Sequence, residues 1–174
     1  YPDMPFNQQL TFPCVLSLRT VRDEMRLCRY PVKEISQLYD KEHKWENVTA
    51  SNGNDLLAGI KGNLFDIEIE FAPGQSDALG FKIPGHDVQY STRTKAVVSC
   101  RTHPMKTEPI NGHIHMRLLV DRTSIEVFVN RGEITGANCI LPKEDGPPPQ
   151  LYVNGGDAVI KSLKVRELKS IWQK

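Results

Sequence analysis

Residues 113–130 carry the pattern that most restricts what this chain can fold into. Apolar side chains recur at every second position on both sides of Arg122-Thr123. If these two residues form a tight turn, Val120 faces Ile125 and every further pair on that face is apolar. Moving the register by one residue would set apolar against polar side chains throughout. The segment therefore predicts an antiparallel hairpin, with a longer loop as the alternative because Arg122-Thr123 is not an Asn-Gly turn.

The same alternation recurs along most of the chain, with strands predicted at residues 10–19, 25–30 and 64–71 among others. One short helical turn is predicted after Pro31, where apolar residues have helical spacing. No helical segment is long enough to connect parallel strands. Residues 1–174 therefore predict a single all-β domain, a two-sheet antiparallel β-sandwich of the concanavalin or jelly-roll type with about ten or eleven strands.

The strand predicted at residues 64–71 has two faces of opposite character. One face is apolar and is expected to point into the core; it contains Phe65, Ile67, Ile69 and Phe71. The other face carries three carboxylates and is expected to be solvated; it contains Asp66, Glu68 and Glu70. The polar residues 41–54 are expected to form a loop.

Composition excludes several classes of function. The 22 basic and 21 acidic residues leave a net charge of +1, which gives no electrostatic footprint for nucleic acid or an anionic membrane. The sequence contains no run of about 18 apolar residues, so no membrane-spanning segment is predicted. No secretory leader is recognisable, and the start without Met suggests a piece of a longer protein. The glycine spacing fits no nucleotide-binding loop, and no cofactor is predicted.

Cysteine and histidine spacing predicts no metal site. The four cysteines are too far apart in sequence for a zinc knuckle. Cys14, in an alternating apolar set with Leu16 and Leu18, is expected to be a small buried side chain, while disulfides stay an alternative in a secreted protein. His113 and His115 share one strand face, but two ligands fall short of the three or four that zinc requires.

Two chemistries remain open at the level of single residues. Glycoside cleavage needs two carboxyl groups beside the scissile bond, which Asp66, Glu68 and Glu70 supply if they are not simply solvated. Sugar binding needs an aromatic platform beside planar polar groups. Trp45 lies in a polar segment, where its ring either is exposed or covers a small apolar cluster.

The second face of the predicted hairpin also suggests a binding surface. It combines Arg117, Glu126 and Phe128 with Leu119, a mixture suited to a groove or to an interface with another domain. The alternative is that Arg117 and Glu126, diagonal neighbours across the hairpin, form an ion pair worth under about 1 kcal/mol if exposed. The candidate carbohydrate-binding or interface residues are Trp45, Arg117, Glu126 and Phe128.

Three segments resemble the C-terminal β-sandwich of glycoside hydrolase family 32, which comprises invertases, levanases and inulinases. Residues 4–18 resemble the first strand of that sandwich. Residues 26–35 (RLCRYPVKEI) resemble a strand that ends in Pro-Val before a short helical turn. Residues 116–133 (MRLLVDRTSIEVFVNRGE) resemble the hairpin of the family most closely.

The resemblance implies that this chain is non-catalytic. In the family, the catalytic carboxylates lie in an N-terminal five-bladed propeller, in a Trp-Met-Asn-Asp-Pro-type strand, an Arg-Asp-Pro triplet and a Glu-Cys pair. None of these motifs occurs in this sequence, where Arg22-Asp23 is followed by Glu24. The implied parent is a retaining fructan- or sucrose-cleaving hydrolase, whose propeller this sandwich would support.

The resemblance also leaves alternatives open. A family of carbohydrate-binding modules resembles the same sandwich, so a fructan- or fructose-binding role is the second hypothesis. A free-standing glycosidase is the third. The resemblance further implies a secreted, periplasmic or cell-surface location, with the catalytic propeller as partner, a fructan oligosaccharide as a second partner, and a homodimer as one oligomeric state.

Overall fold

The computed structural model describes residues 9–141 and 146–171, so residues 4–8 of the first resembling segment lie outside the described residues. Within these ranges the chain forms thirteen strands and one 3₁₀ helix (Lys33–Leu38). The strands are β1 (Cys14–Val21), β2 (Glu24–Pro31), β3 (Tyr39–Ala50), β4 (Phe65–Ala72), β5 (Ala78–Ile83), β6 (His86–Ser91), β7 (Ala96–Ser99), β8 (Met105–Lys106), β9 (Ile114–Asp121), β10 (Ser124–Val129), β11 (Ile134–Cys139), β12 (Gln150–Asn154) and β13 (Ala158–Leu168).

The strands form two open antiparallel sheets and a separate hairpin. The larger sheet has the order β11-β10-β9-β4-β13-β3, and the smaller one has the order β12-β5-β6-β7-β8. The N-terminal hairpin consists of β1 and β2. This arrangement confirms the predicted all-β sandwich. No helix among the described residues is long and apolar enough to cross a membrane.

The predicted hairpin register is confirmed. Strands β9 and β10 pair with Val120 opposite Ile125 and Leu118 opposite Val127, joined through Arg122-Thr123. The predicted inward face of β4 is confirmed as well, because Phe65, Ile67, Ile69 and Phe71 are all fully buried. They pack in one cluster with side chains of the smaller sheet, so the main core lies between the two sheets.

The prediction of a loop at residues 41–54 is wrong over most of its length. Residues 39–50 form β3, an edge strand that pairs with β13 along almost its whole length. Its outward side chains are mostly charged, and its few apolar side chains include Trp45 and Val48. Backbone pairing with β13 decides the conformation here, and charged side chains on an edge strand discourage pairing with other chains.

The prediction of a solvated carboxylate face on β4 is also wrong. Asp66 is fully buried, and Glu68 and Glu70 are partly buried. The N-terminal hairpin and the 3₁₀ helix cover this outer face of the larger sheet. A second, smaller apolar cluster lies beneath them; it contains Ile35, Leu119 and Phe128, with Phe12, Cys14, Tyr30, Val32 and Tyr39 packed against it.

The hairpin differs from expectation in which side chains it buries. Cys14 is only half-buried, while Leu16 and Leu18 of the same alternating set are 63% and 68% exposed. Cys28, on the other face of the hairpin, is buried. The alternation therefore predicted the strand correctly but not the direction of its apolar face. All four cysteines are free thiols.

Candidate functional site

A cluster of charged side chains lies on the outer face of the larger sheet, beneath the N-terminal hairpin and the 3₁₀ helix. The members of this charged cluster stand at outward positions of three neighbouring strands; they are Asp66 and Glu68 (β4), His115 and Arg117 (β9) and Arg166 (β13). Because successive side chains of a strand point to opposite faces, the same strands that build the apolar core also present these charges.

Asp66 and Arg117 form a buried, bidentate ion pair. Arg117 Nε and Nη2 donate to the two carboxylate oxygens of Asp66 at 2.8 and 2.7 Å. The Tyr39 hydroxyl donates to Asp66 Oδ2 at 2.6 Å, and the Arg117 guanidinium lies 5.2 Å from the Tyr30 ring centroid. Burial acts to lower the pKa of Arg117, but the contacts with Asp66 outweigh it and hold that pKa above its ordinary value.

Glu68 connects the hairpin to two further basic side chains. Its Oε1 lies 3.0 Å from His115 Nε2 and accepts a hydrogen bond from the Tyr30 hydroxyl at 3.2 Å. Its Oε2 accepts from Arg166 Nη1 at 3.3 Å. The hydrogen bond from His115, reinforced by the charges of His115, Arg117 and Arg166, lowers the pKa of Glu68 to about 2 despite its burial.

We expect the stability of the chain to fall in acid partly through Glu68. Because the pKa of Glu68 falls from its ordinary 4.5 to about 2 on folding, its stabilising contribution is present above about pH 4.5. It is lost as the pH falls towards 2. Between pH 6 and pH 2.5, the free energy of unfolding of Glu68→Gln should fall by roughly 1–2 kcal/mol less than that of the wild type. Urea unfolding at both pH values measures this difference.

The control for this measurement is Glu46→Gln, since Glu46 is an exposed carboxylate on β3. Its change in unfolding free energy between the two pH values should match that of the wild type. Parallel curves for the wild type and Glu68→Gln would contradict the prediction.

Glu126 and Phe128, on the neighbouring strand β10, contact the N-terminal segment, which is residues 9–31 and includes the hairpin of β1 and β2. Glu126 Oε1 accepts a hydrogen bond from the Phe12 backbone N–H at 2.7 Å, and Oε2 accepts from Arg29 Nη2 at 3.3 Å. Burial raises the pKa of Glu126. The Phe128 ring is fully buried, meets the Tyr30 ring edge-on at 6.1 Å and has the Arg29 guanidinium 5.7 Å from its centroid.

The structure thus brings three of the four predicted site residues together and leaves the fourth apart. Arg117, Glu126 and Phe128 lie under the N-terminal segment. Trp45 lies on edge strand β3 instead of in a loop, half-buried against the main core, with its ring stacked on His43 at 6.3 Å. The reading of its ring as cover for an apolar cluster describes this position better than full exposure does.

The ion pair considered between Arg117 and Glu126 does not form. Arg117 pairs with Asp66 on one neighbouring strand, and Glu126 pairs with Arg29 of the hairpin. The sequence pattern supplied only the cross-strand geometry of β9 and β10. It could not show that β4 places the Asp66 carboxylate against Arg117. It also could not show that the hairpin places the Arg29 guanidinium against Glu126.

The hairpin presents an apolar face to solvent on its far side. Leu18 pairs directly with Leu27, and Leu16 and Met25 lie two residues away on the same face. All four side chains are at least 63% exposed. Four large apolar side chains side by side on one exposed face mark an interaction surface more often than a solvated one.

The charged cluster is poorly suited to hydrolytic chemistry. A glycosidase needs two accessible carboxyl groups, one of which keeps its proton near neutral pH. Asp66 is fully buried and bound by Arg117, and the pKa of Glu68 at about 2 keeps it ionised. Among the described residues, no group of three or more His, Cys, Asp or Glu side chains is placed to hold a metal ion.

Reasoning from sequence did not select Asp66, Glu68, His115 and Arg166 as one cluster. One signal was present: β4 carries alternating carboxylates, while residues 115–117 carry a histidine and an arginine at the same spacing. Opposite charges at matching alternate positions of two strands favour pairing. Recognising that signal would have required knowing that β4 and β9 are neighbours.

Comparison with known proteins agrees with this fold. Residues 34–167 match the family model described as glycosyl hydrolases family 32 C terminal. A levanase of Bacillus subtilis (strain 168) is 30% identical over 98% of this chain and 29% of the relative. An extracellular exo-inulinase of Aspergillus niger is 24% identical over 98% of this chain and 36% of the relative. The solved exo-inulinase from Aspergillus awamori superposes with a TM-score of 0.81 at 19% identity, covering 99% of this chain and 38% of that one.

Fold and comparisons together define an antiparallel β-sandwich of the kind found within larger glycoside hydrolases. The chain belongs to the C-terminal domain family of glycoside hydrolase family 32. This confirms the resemblance carried by the three sequence segments. The chain spans well under half the length of the relatives it matches, 29% of the levanase and 38% of the exo-inulinase.

Proposed function

We propose that this chain is the non-catalytic C-terminal sandwich of a fructan- or sucrose-cleaving hydrolase, and that it stabilises a catalytic propeller by docking against it. The observation that carries the proposal is the exposed apolar face of the N-terminal hairpin. The charged side chains of the hairpin either point away from that face or are bound to the sheet beneath. Arg29 is an example of the second kind, since it donates a hydrogen bond to Glu126 of β10.

The energy available from this face is sufficient for docking. Fully burying one exposed Leu or Met side chain contributes about 1.5–3 kcal/mol, so the four side chains, each about two-thirds exposed, contribute roughly 4–8 kcal/mol. A domain joined to its partner by the chain does not lose the translational freedom that separate proteins lose on association. An apolar patch of this size therefore suffices when the partner is covalently attached.

The proposed occupant of this face is the catalytic domain of the same parent chain. The levanase relative is more than three times as long as the part that this chain matches, which leaves room for such a domain. The catalytic motifs of the family are absent from this sequence. Of the strongest local substitutes, Asp66 is bound by Arg117 within the sheet, and Glu68 accepts a hydrogen bond from Tyr30 of the hairpin.

A secreted, periplasmic or cell-surface location forms part of the proposal. It is supported by the extracellular exo-inulinase among the relatives. Polymeric fructans are too large to enter a cell intact, so an enzyme that cleaves them acts outside it. The free thiols of this chain give no independent support for either compartment.

The double variant Leu18→Lys/Leu27→Glu, which sets opposite charges across the hairpin, tests the docking role in the parent enzyme. Removing two of the four apolar contacts should weaken docking by about 3 kcal/mol, a factor of about 100. We expect the single calorimetric transition of the parent to separate into two, with the catalytic domain unfolding several degrees lower. In the 174-residue chain alone, unfolding free energy should change by less than about 0.5 kcal/mol per substitution, because both side chains are exposed.

Val159→Asp is the matched control, since Val159 is an apolar strand residue that is 51% exposed outside the hairpin. It should leave the transition of the parent unsplit. An unchanged calorimetric profile for the hairpin variant would contradict the docking role. Sedimentation of the isolated chain addresses the homodimer alternative: dimerisation abolished by the same double variant would assign the face to a second copy.

A second candidate function is a fructan-binding module, favoured by a site on the smaller sheet. Tyr152 lies over Gly80, where an added Cβ would stand 2.7 Å from the tyrosine oxygen. The Tyr152 hydroxyl donates to Asp87 Oδ1 at 2.7 Å and lies 3.1 Å from Gln89 Oε1, with Lys82 Nζ 5.6 Å from the ring centroid. An aromatic ring beside planar polar groups suits a sugar.

Titration calorimetry decides between the two roles. Levan, inulin and fructose are titrated against the isolated chain, against Tyr152→Ala and against Trp45→Ala. Heat at millimolar sugar that disappears in Tyr152→Ala alone would assign binding to the smaller sheet, and loss in Trp45→Ala alone would assign it to β3. A titration without binding heat would contradict the fructan-binding role and leave docking as the proposed function.

A further inference from the structure

A polar pocket separate from the docking face lies at one end of the larger sheet, with a volume of about 360 Å³. Strand β1 of the hairpin, the ends of β4, β9 and β13 and the turn after β10 surround it. The side chains that matter for its chemistry are Arg19, His113, His115, Asn130, Arg131 and Lys161. None of them belongs to the apolar face proposed for docking.

The lining of this pocket is positively charged. Arg19, Arg131 and Lys161 supply three cations, against the single carboxylate of Glu70. Lys161 Nζ donates to Glu70 Oε1 at 2.7 Å, so this carboxylate is already neutralised within the pocket. The two arginines remain uncompensated in the lining, and a concave surface of one sign attracts the opposite charge.

The arginines are positioned next to each other. Arg19 Nη1 donates to the backbone carbonyl of Arg131 at 2.9 Å, which fixes the Arg19 guanidinium beside the turn. Its other N–H groups donate to no side chain or carbonyl of residues 9–141 and 146–171. Asn130 and Arg131 hold left-handed backbone conformations with φ of 48° and 59°. Arginine guanidinium groups bind carboxylate and phosphate oxygens in a two-pronged geometry, which a lysine ammonium does not offer.

One residue that lines the pocket, His115, has a buried ring nitrogen that is not engaged by any described residue. His115 is 8% exposed, and its Nε2 is engaged with Glu68 at 3.0 Å. Its Nδ1 is buried without a hydrogen-bond partner within the described part of the chain. Buried polar atoms are normally paired, and an unpaired one beside a cavity suggests a missing ligand. When the ring carries both protons, Nδ1 is a donor suited to an anionic oxygen.

Asn130 makes this region rigid. It is 3% exposed, its Nδ2 donates to Thr107 Oγ1 at 3.0 Å and to the Glu108 carbonyl at 3.1 Å, and its Oδ1 accepts from the His115 backbone at 3.4 Å. The turn that carries Arg131 is thereby fastened to the strand that carries His115. A preorganised set of donors binds a ligand with less loss of side-chain freedom than a mobile one.

We propose that this pocket binds an oxyanion, the phosphate or carboxylate group of a small ligand, through Arg19, Arg131 and His115. The volume suits a molecule of about monosaccharide size. The ligand class follows from the excess of guanidinium groups and from the unpaired nitrogen. The inference goes beyond the docking role and does not depend on it.

Nuclear magnetic resonance titration of the isolated chain tests this site. Inorganic phosphate and galacturonate serve as the phosphate and carboxylate probes, and fructose serves as the neutral probe, all at constant ionic strength. At least one anion should shift the signals of His115 and Asn130 saturably at millimolar concentration. Arg19→Gln/Arg131→Gln should weaken that binding by about tenfold or more, since charge-assisted hydrogen bonds are lost.

Lys95→Gln/Lys106→Gln is the matched control, because it removes two exposed charges outside this pocket. It should leave the affinity within about twofold if binding is local and not a general charge effect. Three results would each overturn the proposal: no saturable shift with either anion, equal weakening by the control, or the same shifts with fructose as with the anions. Comparison of the two anions assigns the group as phosphate or carboxylate.

Discussion

Replacing Arg117 by methionine should lower the free energy of unfolding by about 3–5 kcal/mol. The substitution leaves the fully buried carboxylate of Asp66 without its bidentate partner, and an uncompensated buried charge is strongly destabilising. Arg166 Nη1, at 3.7 Å from Asp66 Oδ2, and the Tyr39 hydroxyl replace only part of that interaction. Urea unfolding at neutral pH, followed by circular dichroism, measures the change.

The double variant Asp66→Leu/Arg117→Met separates the ion pair from the lost volume. With both charges removed, the loss should be at least about 2 kcal/mol smaller than for Arg117→Met alone, because buried pairs are often replaceable by apolar residues. Arg93→Met, at an exposed turn, should change stability by less than about 0.5 kcal/mol. A single variant no less stable than the double variant would show that Asp66 does not depend on Arg117.

The second large effect is expected from Gly132→Ala. Gly132 has a φ of 86°, and a Cβ at this position would stand 2.1 Å from the backbone oxygen of Arg29. The Arg29 N–H also donates to the Gly132 carbonyl at 3.0 Å, so the two backbones are in direct contact at this position. The backbone cannot yield as a flexible side chain can. We expect a loss of about 3 kcal/mol or more, from backbone strain and overpacking together.

Gly112→Ala provides a control with the same backbone strain and no collision. Gly112 has a φ of 78°, and a Cβ there would meet no atom within 4 Å. The excess loss in Gly132→Ala over Gly112→Ala therefore measures the hairpin contact. The displaced hairpin should also become more sensitive to proteolysis within β1 and β2. Equal losses in the two variants, with equal proteolysis, would mean that the hairpin is not held at this turn.

These two variants bear on function because both act where the N-terminal segment meets the sheet. The charged cluster and Glu126 fasten the underside of the hairpin, and its upper side carries the exposed apolar face. Loosening the underside should therefore weaken the proposed docking without altering any docking side chain. In this proposal, the contacts between the hairpin and the sheet keep the exposed apolar face in position for docking.

The alternation of apolar and polar residues correctly predicted the hairpin of β9 and β10 and the apolar face of β4. The alternation in residues 113–130 determined the register of β9 and β10, because a slip by one residue would bury the polar side chains. The apolar face of β4 was predictable for the same reason. The three resembling segments identified the family, which the match over residues 34–167 confirms.

The same patterns could not reveal what lies above each face. Asp66 and Glu68 occupy outward positions of β4, as predicted, yet the N-terminal segment covers them. Leu16 and Leu18 alternate as a core-facing set would, yet the hairpin turns them to solvent. Residues 39–50 lack a strong apolar pattern and are held in β3 by pairing with β13.

The sequence by itself thus determined the strand periodicity, the main hairpin and the family, because these depend on neighbours a few residues apart. Only the tertiary structure decided the roles of the charged side chains, since the partners that meet in space come from distant parts of the chain. Arg117 is separated from Asp66 by 51 residues and Glu126 from Phe12 by 114. Alternation states which residues share a face, and the packing of the whole chain decides whether that face meets water, another strand or another domain.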